Sequence, residues 1–110
     1  MANAYKVLAQ SAPAATTATD VYTVPALTES VISTIIVANR AATDGTYRLS
    51  VRPNGAAQSN QHYIAYDVAI SANDSTTLTL GVTMDAADVL TAYCSSADMS
   101  VNVFGTEITA

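Results

Sequence analysis

Apolar residues recur at every second position in short bursts along this chain, and Pro, Gly, Asn and Asp separate the bursts. Thr46–Arg52 shows the pattern most cleanly: Tyr47, Leu49 and Val51 point one way, Thr46, Arg48, Ser50 and Arg52 the other. A period of two is that of a half-buried strand, and no stretch sustains the period of an amphipathic helix. The pattern predicts eight strands: Tyr5–Gln10, Asp20–Val24, Ser30–Ala38, Thr46–Arg52, His62–Ile70, Thr76–Val82, Asp88–Cys94 and Met99–Ile108. Short strands with turn signals at such intervals define an all-β chain. The expected fold is a single antiparallel β-sandwich domain over residues 1–110, jelly-roll or Ig-like, of about seven or eight strands.

Ser30–Ala38 departs from the pattern. Strict alternation puts Val31, Ile35 and Val37 on one face and Ile32, Ile36 and Ala38 on the other, so both faces are apolar. An antiparallel sheet needs only one apolar face, and something must cover the second. The cover is either the rest of the chain or another chain. The first expectation is a central strand whose two faces are covered by the opposing sheet and a crossover loop, and the alternative is an intersubunit surface. On the first expectation Ile36→Asp would bury an unpaired charge and destabilise the fold by several kcal/mol. In His62–Ile70, alternation buries Ile64, Val68 and Ile70 and presents Tyr63, Ala65, Asp67 and Ala69 opposite them.

The connections add detail. Residues 11–19 are low in complexity and read as a crossover between sheets or an extended arm lying on a neighbouring subunit. Residues 53–60, with Asn54-Gly55 inside, read as an exposed loop of small neutral side chains. These two segments are the expected places of intersubunit contact. Asp74, Asp88 and Asp98 each stand at a turn exit, where a carboxylate accepts backbone N–H bonds.

Composition changes the picture in one respect. Charged residues form 12% of the chain, about half the usual ~25% of soluble proteins. Such a surface loses little desolvation energy when another protein covers it. The net charge is −5, and only Lys6, Arg40, Arg48 and Arg52 are positive. Direct nucleic-acid binding and attachment to an anionic membrane are not expected, since both need clustered Lys and Arg. The opening residues lack the apolar core of a signal peptide, and no apolar run nears the length of a membrane span. A protein made and used in soluble form is expected.

Candidate chemistry is sparse. Cys94 is the single cysteine and reads as a small buried hydrophobe. His62, the single histidine, reads as a partly exposed structural residue rather than a general base. Asp85 and Asp88 share a loop but supply too few carboxylates for calcium. No catalytic, cofactor-binding or metal-ligating residues are assigned, no cofactor is expected, and the chain is not read as an enzyme. A sugar platform would need clustered aromatics. The chain has six Tyr and no Trp, and Tyr63 and Tyr66, three apart in a strand, fall on opposite faces. Tyr47 or Tyr93 would have to join one of them across strands.

The segments at residues 4–17 (AYKVLAQSAPAATT), 20–25 (DVYTVP) and 38–42 (ANRAA) together resemble a family of small virion proteins of tailed bacteriophages, notably those of aquatic bacteria and cyanobacteria. So do residues 46–56 (TYRLSVRPNGA), 60–67 (NQHYIAYD) and 104–108 (FGTEI), and the similarity spans nearly all of residues 4–108. Members are generally labelled only as structural or tail-related. The resemblance implies a non-enzymatic virion subunit, assembled in the host cytoplasm, whose partners are itself, in a symmetric homo-oligomer, and other virion proteins. An accessory component of the tail, neck or baseplate is the first expectation, a capsid decoration protein the alternative, and a small sugar-binding or adhesion module the second alternative.

Overall fold

The computed structural model describes residues 2–109. Its strands are β1 (Ala2–Ser11), β2 (Thr19–Thr23), β3 (Thr28–Asn39), β4 (Gly45–Arg52), β5 (Tyr63–Ile70), β6 (Ser75–Met84), β7 (Val89–Cys94) and β8 (Met99–Thr109). Two 3₁₀ turns, Pro53–Gly55 and Asn60–His62, are the helical elements among the described residues. All eight strands stand where the alternation places them; β1, β3 and β6 run three or four residues longer, and the bounds of the others differ by one residue.

The strands form two four-stranded antiparallel sheets. Sheet A has the order β1-β8-β3-β6 and sheet B the order β2-β7-β4-β5. The pairing is nested: β1 pairs with β8, β2 with β7, β3 with β6 and β4 with β5. Contacts of β3 with β8 and of β4 with β7 then complete each sheet. Successive strands therefore alternate between sheets everywhere except at the β4–β5 hairpin.

The core lies between the sheets. Ile32, Ile35, Val37, Met99, Val101 and Val103 from sheet A meet Tyr22, Tyr47, Leu49, Leu90, Ala92 and Cys94 from sheet B. Each fully buried aliphatic side chain here contributes roughly 1.5–3 kcal/mol. Polar bolts close both ends. At one, Tyr22 Oη donates to Glu107 Oε2 at 2.5 Å and bonds Ser30 Oγ at 2.6 Å, while Lys6 Nζ pairs with Glu107 Oε1 at 2.5 Å. This network ties β1, β3 and β8 to β2. At the other end, buried Asn39 shares its Nδ2 hydrogens among the carbonyls of Thr43, Ile70 and Ser71 and accepts from the Ala41 N–H.

The expected alternation of β3 is overturned by a β-bulge. Both ladders of β3 slip between Ile32 and Thr34, leaving Ser33 as the extra residue. The inward set is therefore Ser30 and Ile32 before the bulge, and Ile35, Val37 and Asn39 after it. Ile32 and Ile35, expected on opposite faces, point into one core. β1 bulges at Leu8 against the same stretch of β8, and β6 sets Leu80 and Gly81 together opposite the single Ser33. Gly81 has φ +64°, a conformation that glycine adopts without steric cost. The bulges line up across sheet A and bend it.

The 11–19 segment is a crossover rather than a free arm. It carries the chain from sheet A to sheet B, with Ala15 bridged to Cys94 and the Thr16 N–H donating to the Cys94 carbonyl at 2.8 Å. The 53–60 segment is the exposed connection of the β4–β5 hairpin, but side chains tie it down. Arg52 donates to the carbonyls of Gly55 and Ala56, Ser50 Oγ donates to Gln58, and the Asn54 N–H donates to Asp88. The Asp74 carboxylate accepts from the Ser75 N–H and that of Asp88 from the Asp85 N–H. At the Asp98 turn the backbone serves instead, its N–H donating to Ser96 Oγ.

Candidate functional site

The outer faces of the two sheets differ in chemistry. On sheet A, the register sets Tyr5 opposite Thr106, Val7 opposite Phe104, Phe104 opposite Thr34, and Ile36 between Asn102 and Thr77. With Val31, Ala38 and Ile108 these residues make an apolar stripe flanked by threonines, all facing away from the core. Val31, Ile36, Ala38 and Phe104 are half-buried by their strand neighbours alone. Tyr5 is 82% and Val7 49% exposed. Nothing within residues 2–109 packs over this face, so the expectation that the second face of Ser30–Ala38 is covered within the chain is overturned.

Charge is nearly absent from the face. Glu29 stands at one end of β3, and Arg40, immediately after the other end, reaches back to Ser100 Oγ at 2.9 Å and to the Ala97 carbonyl. The two opposite charges thus bracket one uncharged surface lengthwise.

Sheet B presents a wet face. Arg48 points outward from β4 and lies between two rings, its guanidinium carbon 4.2 Å from the centroid of Tyr66 and 4.5 Å from that of Tyr93. It holds Asp67 through two hydrogen bonds, Nε to Oδ1 at 2.6 Å and Nη2 to Oδ2 at 3.3 Å. The pair raises the Arg48 pKa and holds the Asp67 carboxyl below the usual carboxylate range, chiefly by hydrogen bonding. Arg52 makes a second ion pair with Asp20 at 2.7 Å and bonds Thr91.

Tyr63 and Tyr66 share this face, against the expectation that they lie on opposite ones. Leu49 pairs with Ala65 and Ser50 with Tyr63, so Ile64 is an extra residue in β5. A second shift leaves Tyr66 and Asp67 together opposite Arg48, with Asp67 at φ +49°. The first bulge turns Tyr63 outward beside Tyr66; the second returns Val68 and Ile70 to the core. The two rings meet edge to face, centroids 4.8 Å apart at 82°. Ile64, expected inside, is 42% exposed. Tyr93 joins the cluster through Arg48, whereas Tyr47 is buried between the sheets.

The remaining chemistry-bearing residues are engaged in local contacts or buried. His62 Nδ1 accepts from the Ser59 N–H at 3.1 Å and caps a 3₁₀ turn. Cys94 is fully buried, and burial pushes its thiol pKa up, away from nucleophilic reactivity. Asp85 and Asp88 spend their carboxylates on backbone N–H groups of Ala86, Asp85 and Asn54. Among the described residues there is no group of three or more His, Cys, Asp or Glu placed to hold a metal ion. Comparison of the chain with protein-family models, curated proteins and solved structures returns no match.

Proposed function

We propose that this chain is a non-enzymatic structural subunit of a tailed-bacteriophage virion, an accessory component of the tail, neck or baseplate that assembles by protein–protein contacts. The observation that carries the assembly part of the reading is the uncovered, uncharged outer face of sheet A. The phage assignment rests on the sequence resemblance. The strand order adds support of a general kind. Nested pairing of β1·β8, β2·β7, β3·β6 and β4·β5 in two sheets favours the jelly-roll type of sandwich over the Ig-like one. That architecture recurs in viral capsid domains.

The occupant of the sheet A face is a second copy of the chain. Four strands of ten to twelve residues present a face of roughly 600–700 Å² in projection, on the scale of the ~800 Å² per partner that a stable complex buries. The net charge of −5 would oppose self-association, but this face carries none of that charge except Glu29. Packed face to face with strands antiparallel about a two-fold axis, each copy sets its Glu29 against the other's Arg40. Parallel stacking would oppose like charges, so the charge pattern selects one pairing. The crossover and the 53–60 loop remain free for contacts with other virion proteins.

Capsid decoration is the second reading, favoured by the contrast between one dry and one wet face, since a decoration subunit sets a single face on the shell. Sedimentation separates the two readings. Self-pairing at tens of micromolar that Ile36→Asp abolishes supports the accessory reading. A monomer at every concentration removes self-pairing and leaves decoration.

A further inference from the structure

We infer that the aromatic corner on the outer face of β5 is a carbohydrate-binding site that takes the apolar face of a neutral pyranose. Tyr63, Tyr66 and Asn60 line a shallow depression of about 360 Å³. The two rings stand at 82° to one another and make adjacent apolar walls, against which the C–H face of a sugar ring stacks. Asn60 offers an amide donor and acceptor, and the tyrosine hydroxyls offer more, matching a ligand whose rim is all hydroxyl.

Three observations set this corner apart from ordinary surface tyrosines. First, one eight-residue strand carries two bulges to build it, with Asp67 in the left-handed region at φ +49°. Such distortion costs free energy and clusters at functional positions. Second, the distortion buries little in return: Tyr66 remains 56% exposed and Ile64 42% exposed. Third, Tyr66 is held in place from behind. Arg48 lies over its ring at 4.2 Å and is itself locked by Asp67 and by Tyr93 on its other side. A rigid exposed ring loses little entropy when a ligand stacks on it.

Local charge selects the ligand class. Arg48 and Asp67 neutralise one another, and the guanidinium is engaged by the carboxylate and two rings. Among the described residues no free cation stands at the corner for an acidic sugar, so the fitting ligand is neutral. So open a site gives weak affinity per copy, which multiple copies on one assembly raise without any new contact. The inference does not depend on self-pairing, because the site lies on the sheet opposite the pairing face.

The test is a titration of the isotope-labelled chain with methyl β-glucoside, methyl β-galactoside, methyl α-mannoside and N-acetylglucosamine, followed by amide chemical shifts. At least one sugar is expected to bind in the millimolar range, with shifts confined to Asn60, Tyr63, Tyr66 and their neighbours. Tyr66→Ala should weaken that binding about tenfold or more, and Tyr5→Ala, which removes an exposed tyrosine from the other sheet, should leave it unchanged. The absence of localised shifts with all four sugars at about 100 mM, a concentration that reveals even very weak affinity, would overturn the inference. So would undiminished binding by a folded Tyr66→Ala chain.

Discussion

Ile35 and Ile36 are neighbours of nearly the same chemistry with opposite fates. Ile35 is fully buried in the core, and Ile36 lies half-buried on the outer face of sheet A. Ile35→Asp should unfold the chain, because an unpaired carboxylate between the sheets costs several kcal/mol. Ile36→Asp should leave the circular dichroism spectrum nearly unchanged, and the melting temperature too when both proteins are compared at concentrations too low for pairing, in place of the large loss that strict alternation predicts for it. Glu107 sets a second residue-scale prediction. Lys6 and Tyr22 hydrogen-bond its carboxylate and hold its pKa below the ordinary 4.5. Its stabilising contribution is therefore present above that value and is lost as pH falls through the depressed one. Tyr22 acts in the other direction: burial and the bond to Glu107 push its pKa from 10.0 up to about 12. That contribution is complete below pH 10.0 and is lost as pH rises toward 12. Glu107→Gln should lower stability at neutral pH by about 1–3 kcal/mol and flatten the fall in melting temperature between neutral pH and pH 3. Parallel profiles for the two proteins would show that the network does not act this way.

At the scale of the element, the bulges decide which residues face which way. Gly105 sits where β8 crosses them, and a Cβ there would lie 2.1 Å from the Val31 carbonyl oxygen and 3.0 Å from Ile32 Cα. Both are backbone atoms that cannot swing aside. Gly105→Ala should cost about 1–3 kcal/mol, measured by urea unfolding, because β3 must shift to admit the methyl. The strands themselves were legible from alternation and turn residues, and Thr46–Arg52 presents its two faces much as its pattern reads. The faces of β3 and β5 were not. An extra residue in a strand reverses the parity of everything beyond it, yet Ser33 and Ile64 are unremarkable residue types for a strand. Only Gly81, and Asp67 as a residue that tolerates positive φ, marked bulge positions in the sequence. Missing these bulges sent Ile36 to a covered face, Ile64 to the core and Tyr63 away from Tyr66. The aromatic corner was hidden for the same reason: its members are spread over β4, β5 and β7, and only the shifted register of β5 brings them together.

For the whole molecule, one dry and one wet face define how it can pack. The apolar run at Ser30–Ala38 did mark the surface in question, although through a bulge that sends its strongest hydrophobes inward and a weaker set outward. What remains outside is Val31, Ile36 and Ala38, joined by Tyr5, Val7, Phe104 and Ile108 from neighbouring strands, with Glu29 and Arg40 at the two ends. Copies paired across this surface would bury the apolar face and leave both aromatic corners pointing outward. Sedimentation velocity of the wild-type chain and the Ile36→Asp variant, at tens of micromolar and moderate salt, tests this most directly. The wild-type chain should sediment as a concentration-dependent dimer or larger symmetric assembly, and the folded variant as a monomer. A wild-type chain that stays monomeric across the whole concentration range, or a variant that associates as strongly, would contradict the account.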